Sequence, residues 1–254
     1  MIAVRALPGA PYYTGNNDEI VNAAKRDLDI YKSAGVDAIV LENDWDLPYI
    51  KPPLPDEALL LMERIAHIVR QRFDGPIGIQ LLEAANEDAL TIAANANLDF
   101  VRVEAYIFAH VGSAGIIEGC AGKLHRLRSQ RGVEHIRLFA DLKKKHCSHA
   151  LTADLSIVDE LHQAEFFAAS GTIITGKATG IEPDLLELKQ VKAEAKKPVL
   201  IGSGMTSENI GKFYPHADGF IVGSDFRTDG RFLANTESDR VQRFVQSFRR
   251  AKMA

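Results

Sequence analysis

Residues 198–224 read PVLIGSGMTSENIGKFYPHADGFIVGS. Two short apolar runs, 198–202 and 219–223, each lead into a glycine–serine turn. The segment between them, near 207–214, has the character of a helix, with Ser207 as its expected cap. A strand, a helix and a second strand in so few residues form a βα unit whose strands lie parallel.

The same alternation extends outward through the chain. Strands are expected at 2–7, 38–42, 77–82, 100–105, 136–142, 171–175, 198–202 and 219–223. Helices are expected near 18–34, 56–73, 86–97, 115–130, 154–169, 183–196, 207–214 and 236–251. In the first helix Ile20, Ala24, Leu28 and Tyr31 form one stripe. Asn17 is its expected cap, Asp18 and Glu19 suit the positive end of its dipole, and Gly35 suits its end. Asp154 is the expected cap of the helix near 154–169, and Pro183 suits a first helical turn. Eight βα units in 254 residues match a single (β/α)8 TIM barrel in α/β class, one domain over 1–254. The first and last strands are expected to pair and close it. A doubly wound open sheet is the alternative.

Composition narrows the function classes. A hydrophobic fraction of 46% and a charged fraction of 25% are ordinary for a globular chain and exclude disorder, collagen and coiled coil. The net charge of −4 gives no support to binding of nucleic acid or an anionic membrane. No apolar run reaches the roughly 18–20 residues of a membrane span. The two cysteines, Cys120 and Cys147, exclude a disulfide framework. With no secretory signal visible at the start, a cytoplasmic location is expected.

In such a barrel the active site lies at the C-terminal ends of the strands. Charge is dense there. The second strand ends in Glu42-Asn43-Asp44. The third contains Gln80 and ends near Glu83. The fourth carries Arg102 and Glu104 on one face, and the fifth runs into Asp141-Leu142-Lys143-Lys144-Lys145-His146. Alternation sends Asp141, Lys143 and Lys145 to the barrel mouth and Lys144 outward, if the strand stays regular. Charge on an interior strand is costly without a partner. A layer of ion pairs closing the barrel top is the plain alternative to a catalytic cluster. Glu42, Glu104, Asp141, Lys143, Lys145 and His146 are the expected catalytic groups. Asn43, Gln80 and Arg102 are expected to bind substrate. No HxxxH or CxxC spacing supports zinc, and no metal ligand is assigned. Magnesium, which needs few protein carboxylates, remains compatible with the sequence, and no other cofactor is expected.

The last three strands end in glycine. Residues 174–180 read ITGKATG, and the turns Gly202-Ser203-Gly204 and Gly223-Ser224 follow the last two strands. Glycine lets backbone N–H groups approach an anion, and a helix start adds partial positive charge. Gly176, Gly202, Ser203, Gly204, Gly223 and Ser224 are therefore expected to hold a phosphate. Tight turns that need glycine for geometry alone are the alternative.

The blocks ALPGAP at 6–11, GVDAIVLEN at 35–43, GIQLLEAANEDAL at 78–90 and FVRVEAYIFAHV at 100–111 resemble the BtpA/SgcQ family. So do IIEGCAG at 116–122, ADLKKKH at 140–146, ITGKATG at 174–180, PVLIGSGMTSENI at 198–210 and GFIVGS at 219–224. The resemblance spans nearly the whole chain in order. It implies a barrel of the ribulose-phosphate-binding type. Labels attached to that family include photosystem I biogenesis and nucleotide hydrolysis, and neither fixes a reaction here. The family's MIH-like start has Ala3 in place of its histidine. Asp141-x-Lys143 is also similar to the proton-transfer element of orotidine-phosphate-decarboxylase-type barrels, with His146 where those have a second Asp.

These features favour an enzyme of lyase or isomerase type acting on a small phosphorylated metabolite, with a homo-oligomer expected. A carboxylate-based phosphohydrolase or glycosidic-bond-cleaving enzyme is the second reading. A non-catalytic assembly or stability factor is the third.

Overall fold

The computed structural model describes residues 1–253. Eight parallel strands lie side by side in one sheet, in this order: β1 (Ile2–Ala3), β2 (Ile39–Glu42), β3 (Ile77–Gln80), β4 (Phe100–Val103), β7 (Arg137–Leu142), β8 (Gly171–Ile174), β9 (Val199–Ile201) and β10 (Gly219–Phe220). Every neighbouring pair is parallel. Helices α1 (Asn17–Ala34), α2 (Asp56–Arg72), α3 (Asn86–Asn95) and α4 (Ala121–Arg131) follow the strands of the first half. Helices α5 (Ile157–Phe166), α6 (Leu185–Glu194), α7 (Ile210–Phe213) and α8 (Ser238–Met253) follow those of the second.

Alternation sorts each strand into two faces. Ile39, Leu41, Val101, Val103, Leu138, Ala140 and Ile174 join the large core under the helices. Val40, Phe100, Phe139 and Ile173 point the other way and meet Ile221, with Met1 and Leu200 against them. Residues from β2, β4, β7 and β8 thus share one interior cluster. Phe100 and Phe139 meet edge to face with ring centroids 5.6 Å apart. Each occupies the space that a side chain at a neighbouring glycine, Gly78 or Gly171, would fill. One step along the same face stand Glu42, Arg102 and Asp141, so the charged level sits directly on the apolar one.

The expected β1–β10 ladder is not present. Both strands are two residues long, and the chain turns into a short 3-10 helix at Ser224–Phe226. One hydrogen bond spans the gap, from the Met1 amine to the Val222 carbonyl at 2.9 Å. The expected strands also overran their ends, most of all 2–7 and 219–223. Residues 115–117 form no helix. They are β6 (Gly115–Ile117), antiparallel to β5 (His110–Gly112) across the turn Ser113-Ala114.

Several caps differ from expectation for local reasons. Asn16, not Asn17, caps α1 by accepting from the Glu19 amide at 3.1 Å. Gly35 ends that helix in the left-handed region as expected, with φ 74°. Ser156 caps α5 in a reciprocal box with Asp159, displacing Asp154. Asp184 caps α6. Ser207 caps nothing, because its amide is bound to Asp225 and α7 starts later.

Candidate active site

The level above the apolar interior is an ion-pair layer. Arg102 lies on β4 between the ends of β2 and β7. It donates through Nε and Nη2 to the two Asp141 oxygens, each at 3.0 Å, and through Nη1 to Glu42 Oε1 at 3.1 Å. All three groups are buried. The fork of a guanidinium suits a bidentate pair of this kind. Burial opposes the Arg102 charge, but Asp141 and Glu42 outweigh it and hold the cation firmly protonated. Burial also pushes the Glu42 carboxyl up, although Arg102 opposes the shift.

A second buried cluster stands beside it. Lys144 Nζ lies 2.9 Å from Glu83 Oε1 and 3.0 Å from Glu104 Oε1. Gln80 Nε2 and the Ala84 amide also donate to Glu104, both at 2.8 Å. The Ser113 hydroxyl and the Ala114 amide donate to Glu83, each at 2.9 Å, which ties the β5–β6 hairpin over this cluster. Burial raises the Glu104 carboxyl, with Lys144 opposing. At Glu83 burial acts in the same direction but Lys144 and the hairpin donors win, so that carboxyl lies below its usual range.

A cavity of about 310 Å³ opens at the C-terminal ends of β2, β4, β8, β9 and β10. Glu42, Asp44, Arg102 and Lys145 line its inner end. Met1, Thr179, Gly180, Glu208 and residues 202–206 and 221–225 line the rest, with Gly230, Phe232 and Arg240 among its outer groups. Among the described residues, the amides of Ser203, Gly204, Met205, Gly223, Ser224 and Asp225 have no acceptor within the chain. Six unengaged donors in two turns make this rim receptive to an anion. Lys145 Nζ is 3.5 Å from Ser203 Oγ and forms no ion pair. Burial, and next the Arg102 charge, lower its pKa.

The expected candidates separate on this geometry. Glu42, Arg102, Lys145, Gly202, Ser203, Gly204, Gly223 and Ser224 line the cavity. Asp141 lies behind Arg102. Lys143 does not reach the mouth. Its φ of 41° ends the strand alternation just after Leu142, and its Nζ turns to the Leu155 carbonyl at 2.7 Å. The same break turns Lys144 inward, opposite to expectation. His146 is exposed and bonds Thr179 Oγ1 at 3.0 Å, which clips the 175–180 loop from outside. Glu104 and Gln80 belong to the Lys144 cluster. Asn43 is a clamp, not a substrate group: it donates to Asp46 and to the Leu82 carbonyl and accepts from the Leu82 amide.

Gly176 lies off the cavity, and a side chain there would overlap the Ile181 carbonyl. At Gly204, φ is 73°, and a side chain would strike the backbone of Ile181 and Glu182. Both glycines are thus required by the close approach of two loops, whatever the Gly204 amide also does. Sequence reasoning missed the pair between Asp44 and Arg227, with Nη2 to Oδ2 at 2.7 Å and both side chains buried. The signal lay in the charged run after 223, SDFRTDG, which was weighed only for its glycine and serine. Arg5 stacks over the Trp45 ring, 3.9 Å from its centroid. Among the described residues no group of three His, Cys, Asp or Glu side chains gathers as a metal site, and no helix is long and apolar enough to cross a membrane.

Comparison with known proteins places this geometry in a lineage. Residues 1–250 match the model of the BtpA family. An uncharacterized mitochondrial protein of Caenorhabditis elegans is 40% identical over 251 residues, 97% of this chain and 90% of that protein. The photosystem I biogenesis protein BtpA of Synechocystis is 30% identical over 248 residues, 95% of this chain and 84% of that protein. Thiamine phosphate pyrophosphorylase from Pyrococcus furiosus superposes with a TM-score of 0.60 at 14% identity, covering 91% of this chain and 90% of that one. Orotidine 5′-phosphate decarboxylase from Pyrococcus horikoshii does so with a TM-score of 0.56 at 15% identity, covering 92% and 95%. At such identities the likeness is one of fold.

Proposed function

The chain belongs to the BtpA family, and from that premise we propose an enzyme that binds a small phosphorylated metabolite and moves a proton at its carbon skeleton. The observation that carries the reading is one cavity holding both a rim of unengaged amides and an unpaired, half-buried lysine. The enzymes that share the fold support it, since their names include a thiamine phosphate pyrophosphorylase and an orotidine 5′-phosphate decarboxylase. We read the sheet as a closed (β/α)8 barrel, supported by the Met1–Val222 bond and the shared interior cluster.

In this reading the turns at 203–205 and 223–225 hold the phosphate. Lys145, its pKa lowered by burial, is the base of this scheme and acts as the neutral amine. Glu42, its carboxyl raised by burial, supplies a proton. The Lys145 amine takes the proton from the carbon next to a carbonyl, and the Glu42 proton goes to the carbonyl oxygen, giving an enol. Return of the protons to other positions completes an isomerisation. Arg102 and Asp141 fix Glu42 and keep the inner wall charged. Glu104 and Lys143 have no reacting role here, because one is locked to Lys144 and the other lies outside the cavity.

The test is proton exchange. Phosphorylated ketoses and aldoses are incubated with the protein in D2O and their carbon-bound protons followed by NMR. Exchange should occur with at least one compound and disappear in Lys145→Met and in Glu42→Gln, with melting temperatures recorded for both. Borohydride should trap no adduct on Lys145; trapping would replace proton transfer with imine chemistry. Absence of exchange across the panel, with phosphate still bound, would overturn the catalytic reading.

A further inference from the structure

The inner wall of the cavity carries more carboxylate than a phosphate site needs. Glu42 and Asp44 both line it, two residues apart at the end of β2. Each spends one oxygen on an arginine: Glu42 Oε1 on Arg102 and Asp44 Oδ2 on Arg227. Glu42 Oε2 and Asp44 Oδ1 have no donor within the chain among the described residues. Each of these two cavity-lining carboxyl groups therefore keeps one acceptor oxygen for a ligand.

The cations near them are already engaged. Arg102 is shared between Glu42 and Asp141, Arg227 is paired with Asp44, and Arg240 lies 3.6 Å from Asp225. Lys145 and the Met1 amine make no ion pair: Lys145, 3.5 Å from Ser203 Oγ, faces the proposed phosphate position, and the Met1 amine donates to the Val222 carbonyl at 2.9 Å, with burial lowering its pKa to about 6. A ligand with a second anionic group at the inner end would meet the Asp44 carboxylate, with both arginines already paired and the Met1 amine bound to a backbone carbonyl. A hydroxyl group there would donate to a charged acceptor, one of the stronger classes of hydrogen bond.

We propose that Asp44, beside the proton donor Glu42, is the charged element of a specificity wall that selects phosphate esters whose remote portion is uncharged and hydroxyl-bearing, and rejects esters that carry a carboxylate there. The proposal rests on the phosphate-binding reading of this cavity and adds its substrate class. Asp44 acts on selection alone, since the proton-transfer scheme does not use it. Like charges juxtaposed in a desolvated site are strongly disfavoured, which gives the wall its power to reject.

The test compares ligands that differ in one group. Sorbitol 6-phosphate and 6-phosphogluconate differ only by CH2OH against carboxylate, and glycerol 3-phosphate and 3-phosphoglycerate repeat the comparison on a shorter chain. Binding to the full chain is measured by calorimetry beside inorganic phosphate. Each alcohol should bind at least about tenfold more tightly than its acid. Asp44→Asn, which keeps an acceptor for Arg227, should shrink that ratio while leaving the affinity for inorganic phosphate within about twofold. Equal affinity within each pair in the unaltered protein would overturn the wall, and that comparison decides the matter even if the variant does not fold. Failure of inorganic phosphate and of both alcohols to bind would instead overturn the phosphate site beneath it.

Discussion

Replacing Lys144 with methionine is the sharpest structural perturbation available, because a regular strand would leave that residue in solvent. The structure instead buries its ammonium between Glu83 and Glu104 at 2.9 and 3.0 Å. Removing one partner of a buried pair costs about 3–5 kcal/mol, because the remaining charge loses its compensation. Here two carboxylates lose it together. For a chain of this size each kcal/mol lowers the melting temperature by about 2–4 °C, so Lys144→Met should melt about 6–20 °C below the parent. The deficit should depend on pH with a definite sign. Without Lys144 nothing opposes the burial that raises the Glu104 carboxyl. A carboxyl raised above its unfolded value stabilises at low pH, and that stability is lost as pH rises through its folded value. The gap between variant and parent should therefore be wider at pH 8 than at pH 5. Urea denaturation at the two pH values measures it, with the slope checking that both unfold alike. A variant within 1 °C of the parent at both pH values would refute the buried pair and return Lys144 to the solvent face.

Arg102→Met should cost about 3–5 kcal/mol, and Arg102→Lys should recover only part of it, because an ammonium cannot reproduce the bidentate pair of hydrogen bonds to Asp141; denaturant midpoints check both. Gly176→Ala should destabilise by about 1–3 kcal/mol through overlap with the Ile181 carbonyl, as thermal melts would show. Any proton exchange should rise with pH as Lys145 loses its proton, with a midpoint below the ordinary lysine range, as a rate profile would show. A midpoint near that of free lysine would place the amine in open solvent.

The inward and outward faces of β2, β4 and β7 could be read from sequence because a strand alternates strictly while it remains a strand. Phe100, Arg102 and Asp141 stand where that rule puts them. The rule fails beyond Leu142. Lys143 takes a left-handed φ, and the three lysines then point to a carbonyl, to two carboxylates and to the cavity. A run of like residues gives no sign of where its strand stops. The hairpin at 110–117 did carry a signal, β-branched residues flanking Gly-Ser-Ala-Gly, but the helical reading of 115–130 absorbed it. Asn43 and His146 were credited for their chemistry. Their hydrogen bonds to Leu82 and Thr179 are made across the fold, and no local pattern announces such partners. The glycine turns fit both readings at once: Gly204 is demanded by Ile181 and Glu182, and the residues beside it still line the cavity with unengaged amides.

Everything proposed for this cavity depends on a phosphate held by the turns after β9 and β10. Titration of inorganic phosphate into isotope-labelled protein, followed through its backbone amide resonances, tests this most directly. Saturable shifts should concentrate at Ser203, Gly204, Met205, Gly223, Ser224 and Asp225, and should vanish or weaken markedly in Lys145→Met. Unmoved resonances at those six amides, or shifts confined to another face of the protein, would contradict it.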